Sequence, residues 1–219
     1  MKFQFKIFLV LLTICTPLVI ITSGMQIALS PLFYKFEYRL PNFPPDTYGF
    51  TTEDRQNWAD YSIKYISGKI SDEEFSSLRF PDGTPLFNLR EISHMVDVRV
   101  LTMQMLIVWR VLLVIFIISI YVCWKTKTLK EPLLAVGKGA RITILIILGI
   151  FLYVMINFNQ LFTIFHQIFF EGDSWLFYYS DTLIRLFPIK FWQDLFIFIG
   201  AFGLITSVLI IFFEKKLDK

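Results

Sequence analysis

The sequence predicts an all-α membrane protein: a bundle of four transmembrane helices with a small, mostly helical extracytoplasmic cap. Three observations carry this expectation. Of 219 residues, 55% are hydrophobic and 18% aromatic, far above the globular norm. Four segments, about 7–29, 101–124, 142–162 and 194–213, each reach the roughly 20 apolar residues that a hydrocarbon core of about 30 Å requires. The basic residues also alternate with the acidic ones along the chain. Lys2 and Lys6, the loop Lys125, Lys127, Lys130, Lys138 and Arg141, and the tail Lys215, Lys216 and Lys219 flank the spans on one side. The segments 30–100 and 163–193 carry most of the acidic residues. By the positive-inside rule both termini are cytoplasmic and both long loops face outward. The net charge of +3 is then a topology signal, with no basic face left to argue for nucleic acid.

The first span begins like a secretory signal, but its apolar run extends through Leu29, beyond a signal core, so an uncleaved span is expected. LTIC at 12–15 is one residue away from a lipoprotein cleavage box, with Ile14 where a small residue is needed. In the cap, SPLFYKFEYRLPNFPPDTYGF reads as extended or turn structure, from its prolines and alternating aromatics. The next stretch, FTTEDRQNWADYSIKYISG, reads as a helix opened by Thr52, with Glu53 and Asp54 in its first turn. Ser71 and Glu74 have capping-box spacing and start a second short helix, and PDGTP at 81–85 is a turn. In the second outer loop Gly172 ends the third helix, and Ser180 caps a short helix ending before Pro188. The aromatic residues of this loop read either as a headgroup belt or as a lipid-contacting floor. Cys15 and Cys123 lie within spans, which argues against a structural disulfide.

Two histidines occur in the chain, His94 and His166, each at the outer end of an apolar run. At 100° per residue, with Arg90 at 0°, His94 falls at about 40° and Asp97 at about −20°, so the three share a face with Glu91 on its flank. The same arithmetic aligns Asn159, Thr163 and His166, with Gln160 and Gln167 alongside. Both histidines lie roughly 6–10 Å outside the hydrocarbon, from the helical rise. A single interfacial histidine is commonly a hydrogen-bonded structural residue. A pair in one leaflet is also suited to accept and return a proton near neutral pH, with Glu91 or Asp97 holding a tautomer. A zinc site needs a third ligand, for which Glu37, Glu91, Asp97 and Asp181 are candidates without diagnostic spacing. Nucleophile elbows, phosphate loops and H-E-x-x-H motifs do not occur. Arg110, inside the second span, reads as snorkelling or paired with a carbonyl.

Three stretches, LFYKFEYRL at 32–40, PDGTPLFNLREISHMVDVRVL at 81–101, and LFTIFHQIFFEGDSW with DTLIRLFP at 161–188, resemble the lipoprotein intramolecular transacylase family of bacterial membrane proteins. Arg99 stands where the pattern has lysine, and LFYYSD lacks its Asp-Pro. The resemblance implies an acyltransferase of the cell membrane acting on diacylglyceryl-modified lipoproteins, among membrane lipids. One ester-bound chain moves from the glycerol to the amino group of the lipoprotein's own N-terminal cysteine, with no cofactor and no metal. It makes His94 and His166 the acid/base pair, with His94 as base and His166 as acid but their order open. Glu91 and Asp97 then orient His94, Arg90 or a backbone N–H meets the oxyanion, Glu37 contacts the substrate ammonium, and Asp181 supports the site. The rival readings are an outer-leaflet metallohydrolase using the same histidines and a non-enzymatic membrane assembly protein.

Overall fold

A computed structural model describes residues 3–217. Lys2 and Lys219, two of the residues that set the expected orientation, lie outside that range. In chain order the helices are α1 (Phe3–Ala28), α2 (Pro31–Glu37), α3 (Thr52–Ile66), α4 (Asp72–Ser76), α5 (Leu89–Lys125), α6 (Lys130–Phe169), α7 (Thr182–Leu186) and α8 (Ile189–Leu217). The only β pairing among the described residues is an isolated antiparallel bridge between Arg79 and Pro85 that closes the 81–85 turn. Four helices, α1, α5, α6 and α8, are long and apolar enough to cross a membrane. Only 17 to 22% of the residues in their most apolar windows are buried, so lipid is the natural solvent for the rest. The helices overrun the apolar segments, α5 beginning at Leu89 and α6 reaching Phe169, because backbone pairing continues past the point where side chains turn polar.

The chain forms two compact units. The first contains α1 up to Gln26, Leu106–Ile156 and α8 from Ile197. Here small residues let the helices approach closely, as expected where the hydrophobic effect cannot drive helices together. Pro17 removes a donor inside α1 and leaves the Thr13 carbonyl without its usual partner four residues on. Gly139 of α6 lies against that carbonyl: a Cβ there would sit 2.6 Å from Thr13 O and 2.5 Å from Thr16 Cβ. The Thr13 hydroxyl bridges the same two helices, 3.1 Å from the Ala135 carbonyl. Trp109 of α5 donates to Ser23 of α1 at 2.9 Å, and Arg141 of α6 pairs with the buried Glu214 of α8 at 2.8 Å.

The second unit contains Ile27–Met105 and Asn157–Phe196. Its core stacks Tyr65 on Phe75 at 4.2 Å and Phe75 on Phe87 at 4.7 Å, with Leu86, Met95, Leu183 and Leu186 buried around them. Residues 31–37, expected to be extended, are helical. Pro31 follows Ser30 at the first helical position, and the buried residues are Phe33, Tyr34 and Glu37, a helical spacing rather than an alternation. The cap of α3 is Thr51, one residue before the expected Thr52; its hydroxyl and the Asp54 carboxylate form a reciprocal capping box. Ser71 caps α4 as the spacing indicated, accepting the Glu74 N–H at 3.1 Å. The residue preceding α7 at its N-terminus is Asp181 rather than Ser180.

Candidate active site

His94 is held on the first turns of α5. Asn88 opens the helix with a reciprocal box: its Oδ1 accepts the Glu91 N–H at 3.0 Å while Glu91 Oε2 accepts the Asn88 N–H at 2.8 Å. The other Glu91 oxygen accepts the Leu183 N–H of α7 at 2.7 Å. One buried carboxylate thus ties two helix N-termini together, where the backbone dipoles favour negative charge.

His166 is placed by a break in α6. At Asn157 the backbone is extended (φ −159°, ψ 87°), and its side chain accepts the Gln160 N–H at 3.0 Å, capping the helix that restarts there. On that restarted segment Phe158, His166 and Phe170 turn inward, while Asn159, Gln160 and Gln167 are exposed. The polar stripe expected from spacing is therefore the outer face, and His166 belongs to the aromatic one.

The two imidazoles meet. Their centroids are 5.9 Å apart, with ring planes 23° from parallel. Phe170 and Phe177 present edges to His94 at 4.8 and 5.3 Å, and His166 contacts Phe162, Phe170 and Trp175 at 4.1, 5.4 and 5.0 Å. Each histidine is only 7% exposed. His166 Nδ1 lies 2.7 Å from the Phe162 carbonyl oxygen. A carbonyl only accepts, so Nδ1 carries the proton, and in the neutral ring Nε2 presents a lone pair. The Nδ1 of His94 is buried with no hydrogen-bond partner.

The family model for the lipoprotein intramolecular transacylase Lit matches residues 10–192. A protein of Aquifex aeolicus (strain VF5) is 31% identical over 208 residues, covering 94% of this chain and 93% of its own length. The chain belongs to the Lit family. The in meso structure of the membrane-integral Lit from Bacillus cereus superposes with a TM-score of 0.81 at 23% identity, over 99% of this chain and 97% of that one. A second structure of the Bacillus cereus protein, in which a histidine is replaced by alanine, superposes at 0.73 with 24% identity, over 98% of this chain and 94% of that one. Family membership makes this chain an acyltransferase, a lipoprotein intramolecular transacylase, with the multi-pass architecture expected of it.

In this Lit-family chain the residues expected to surround His94 divide. The buried arc of α5 runs through Glu91, His94 and Met95, and Arg90 and Asp97 lie outside it, exposed. Neither Glu91 nor Asp97 bonds His94: the Glu91 carboxylate is occupied by backbone N–H groups, and no hydrogen bond joins Asp97 to the ring. The carboxylate-held tautomer expected at His94 is absent, because the helix rotation turns its ring toward aromatic neighbours. Arg90 pairs with Asp181 at 3.1 Å and lies over Tyr178 at 5.0 Å from the ring centroid. Asp181 also accepts from Asn88 Nδ2 at 3.1 Å and the Tyr178 N–H at 2.8 Å. Glu37 is buried beside Asp194 and the Lys190 with which Asp194 pairs. Sequence reasoning missed Phe170, Trp175 and Phe177 as site walls, and Asn88 as a cap. The N-L-R-E spacing at 88–91 carried the signal for Asn88; nothing in the sequence distinguishes the wall aromatics from a headgroup belt.

Proposed function

We propose that His94 and His166 carry proton transfer in an intramolecular acyl shift on a diacylglyceryl lipoprotein, at the extracytoplasmic rim of the membrane. The cysteine amine attacks the ester carbonyl of its own glycerol, and an N–C bond forms as the C–O bond to glycerol breaks. One imidazole takes the amine proton, and a proton is returned to the departing glycerol oxygen, so no co-reactant is consumed. The product is an N-acylated lyso-form lipoprotein.

The observation that carries this reading is the pair of imidazoles 5.9 Å apart, one of them held in a single tautomer by the Phe162 carbonyl. That hydrogen bond leaves Nε2 of His166 as the open acceptor and favours His166 as base, the reverse of the order first suggested by the sequence. Positioned proton transfer of this kind supplies about 10²–10⁴-fold. Holding amine and ester of one molecule in attack geometry adds several kcal/mol, on the order of 7 or more in favourable cases. With Arg90 engaged by Asp181, a backbone N–H or the protonated partner imidazole is the better donor to the oxyanion. Glu37 and Asp97 are assigned no contact with the reacting atoms.

The test is expression in a bacterium whose lipoproteins are only diacylated, followed by mass spectrometry of their N-terminal peptides. N-acyl lyso peptides are expected with the wild-type chain. His166→Gln and His94→Gln, each expressed to wild-type level, are expected to reduce them by at least about 10²-fold. Unchanged diacylglyceryl peptides with the wild-type chain, or full conversion by either variant, overturns the assignment.

A further inference from the structure

The second unit contains another constellation, and none of its side chains is among the rings packed on the imidazoles. A cavity of about 320 Å³ is lined by residues that include Pro44, Asp46, Arg55, Tyr179, Ile184 and Arg185. Arg185 grips Asp46 with two hydrogen bonds of 3.2 and 3.0 Å and stacks 3.5 Å from the centre of Phe50. Asp46 is saturated, because its Oδ2 also accepts the N–H groups of Phe50 and Tyr48 at 2.7 and 3.2 Å. Arg55 is different. It is 4% exposed, and its Nη1 donates to the Pro44 carbonyl at 2.7 Å. Its Nε is buried without a hydrogen-bond partner. The faces of Phe43 and Tyr38, 4.7 and 5.3 Å away, offset part of the desolvation of its charge. Two guanidiniums therefore line a cavity with one carboxylate, and that carboxylate is committed to Arg185.

A buried guanidinium whose Nε–H has no hydrogen-bond partner is matched by an anionic acceptor, a carboxylate or a phosphate. Position favours phosphate. Ile184 and Arg185 belong to α7, and Pro188, also at the cavity, immediately precedes α8, which is long and apolar enough to enter lipid. Tyr48 and Tyr179 at the same cavity are 52% and 84% exposed, as aromatic rings at headgroup depth are. We infer that the Arg55–Arg185 cavity binds the phosphate headgroup of an anionic phospholipid.

The experiment uses the full chain in a neutral detergent, with lipid retention read by native mass spectrometry. Dioleoylphosphatidylglycerol, dioleoylglycerol, inorganic phosphate and a Glu-rich peptide serve as probes. One tightly held phosphatidylglycerol is expected, dioleoylglycerol is not retained, and inorganic phosphate displaces the lipid only at far higher concentration. Arg55→Gln is expected to weaken retention about ten-fold, the value of one charge-assisted hydrogen bond. Because Arg55 is buried, Tyr179→Glu provides a second variant on an exposed position. It sets a carboxylate at the cavity mouth and is expected to weaken retention by a similar factor with an unchanged thermal midpoint. Equal retention by the wild type and both variants overturns the inference. So does equal retention of dioleoylglycerol, or displacement by the acidic peptide at lower concentration than phosphate.

Discussion

Glu37 and Asp46 are both buried carboxylates of the second unit, yet their surroundings push them in opposite directions. Burial, a shared hydrogen bond with Asp194 and the charge of that neighbour raise Glu37 to about 8, only partly opposed by Lys190. Burial alone would raise Asp46 as well, but the Arg185 hydrogen bonds and the Phe50 N–H more than offset it and hold the group below its ordinary range. The signs follow by linkage. The contribution of Glu37 to stability is fully present below its unfolded value of about 4.5 and is lost as pH rises through about 8. The contribution of Asp46 is present above its unfolded value of 3.8 and is lost as pH falls through the lower folded value. Thermal midpoints across pH are therefore expected to fall on both sides of a maximum. Glu37→Gln should flatten the alkaline limb and Asp46→Asn the acid limb. A Glu37→Gln variant that keeps the full alkaline loss contradicts this account. Glu91→Gln keeps one of the two helix-tying oxygens, replaces the other with an NH2 that cannot accept a backbone N–H, and removes the charge. It is expected to cost about 1–3 kcal/mol in chemical denaturation, since the lost bonds are charge-assisted ones to backbone N–H groups.

Between α6 and α7 the chain crosses the imidazoles with Phe170, Trp175 and Phe177 and is then tied down at Asp181. Gly172, at φ +63°, permits the reversal out of α6 that starts this crossing, much as its place in the sequence indicated. Beyond Asp181 the anchor is firm, with Thr182 donating to the Leu86 carbonyl at 2.6 Å and Leu183 to Glu91. The Arg90–Asp181 fastening is partly exposed by contrast, with the Arg90 side chain 40% accessible. Asp181→Asn is thus expected to loosen residues 173–181 without unfolding α7, seen as faster amide exchange confined to that segment. Because the chain has just two histidines, diethyl pyrocarbonate reports on this site alone when no polyhistidine tag is present. The variant should react several-fold faster than wild type. Identical modification rates contradict an element that shields the rings.

On the scale of the whole molecule, two expectations concern how the chain sits in lipid. Gly139→Val inserts atoms where a Cβ already meets the Thr13 carbonyl and Thr16 at under 3 Å, so α6 must move away from α1. The expected cost is about 1–3 kcal/mol, measured as a lower unfolding midpoint in detergent, because backbone cannot swing aside as a side-chain tip does. The alternation of lysine and arginine predicts that a cysteine at Tyr179 reacts with a membrane-impermeant maleimide added to intact cells, and one at Lys127 does so only after permeabilisation. Labelling at both positions in intact cells contradicts the orientation.

Composition and periodicity determined the four spans, their approximate limits, and the two segments from which the site is drawn, because a bilayer imposes length and hydropathy on any chain that crosses it. Residue types and local motifs likewise marked His94 and His166 and the cap at Ser71. Only the tertiary structure decided which way each side chain turned. Helical spacing puts His94 beside Arg90 and Asp97, but packing moved the boundary of burial between them and left Glu91 serving backbone N–H groups. In α2 the inward set Phe33, Tyr34 and Glu37 overrode an alternation that read as extended. The meeting of two imidazoles that lie 72 positions apart, and the aromatic walls around them, depends on long-range packing that no local pattern encodes.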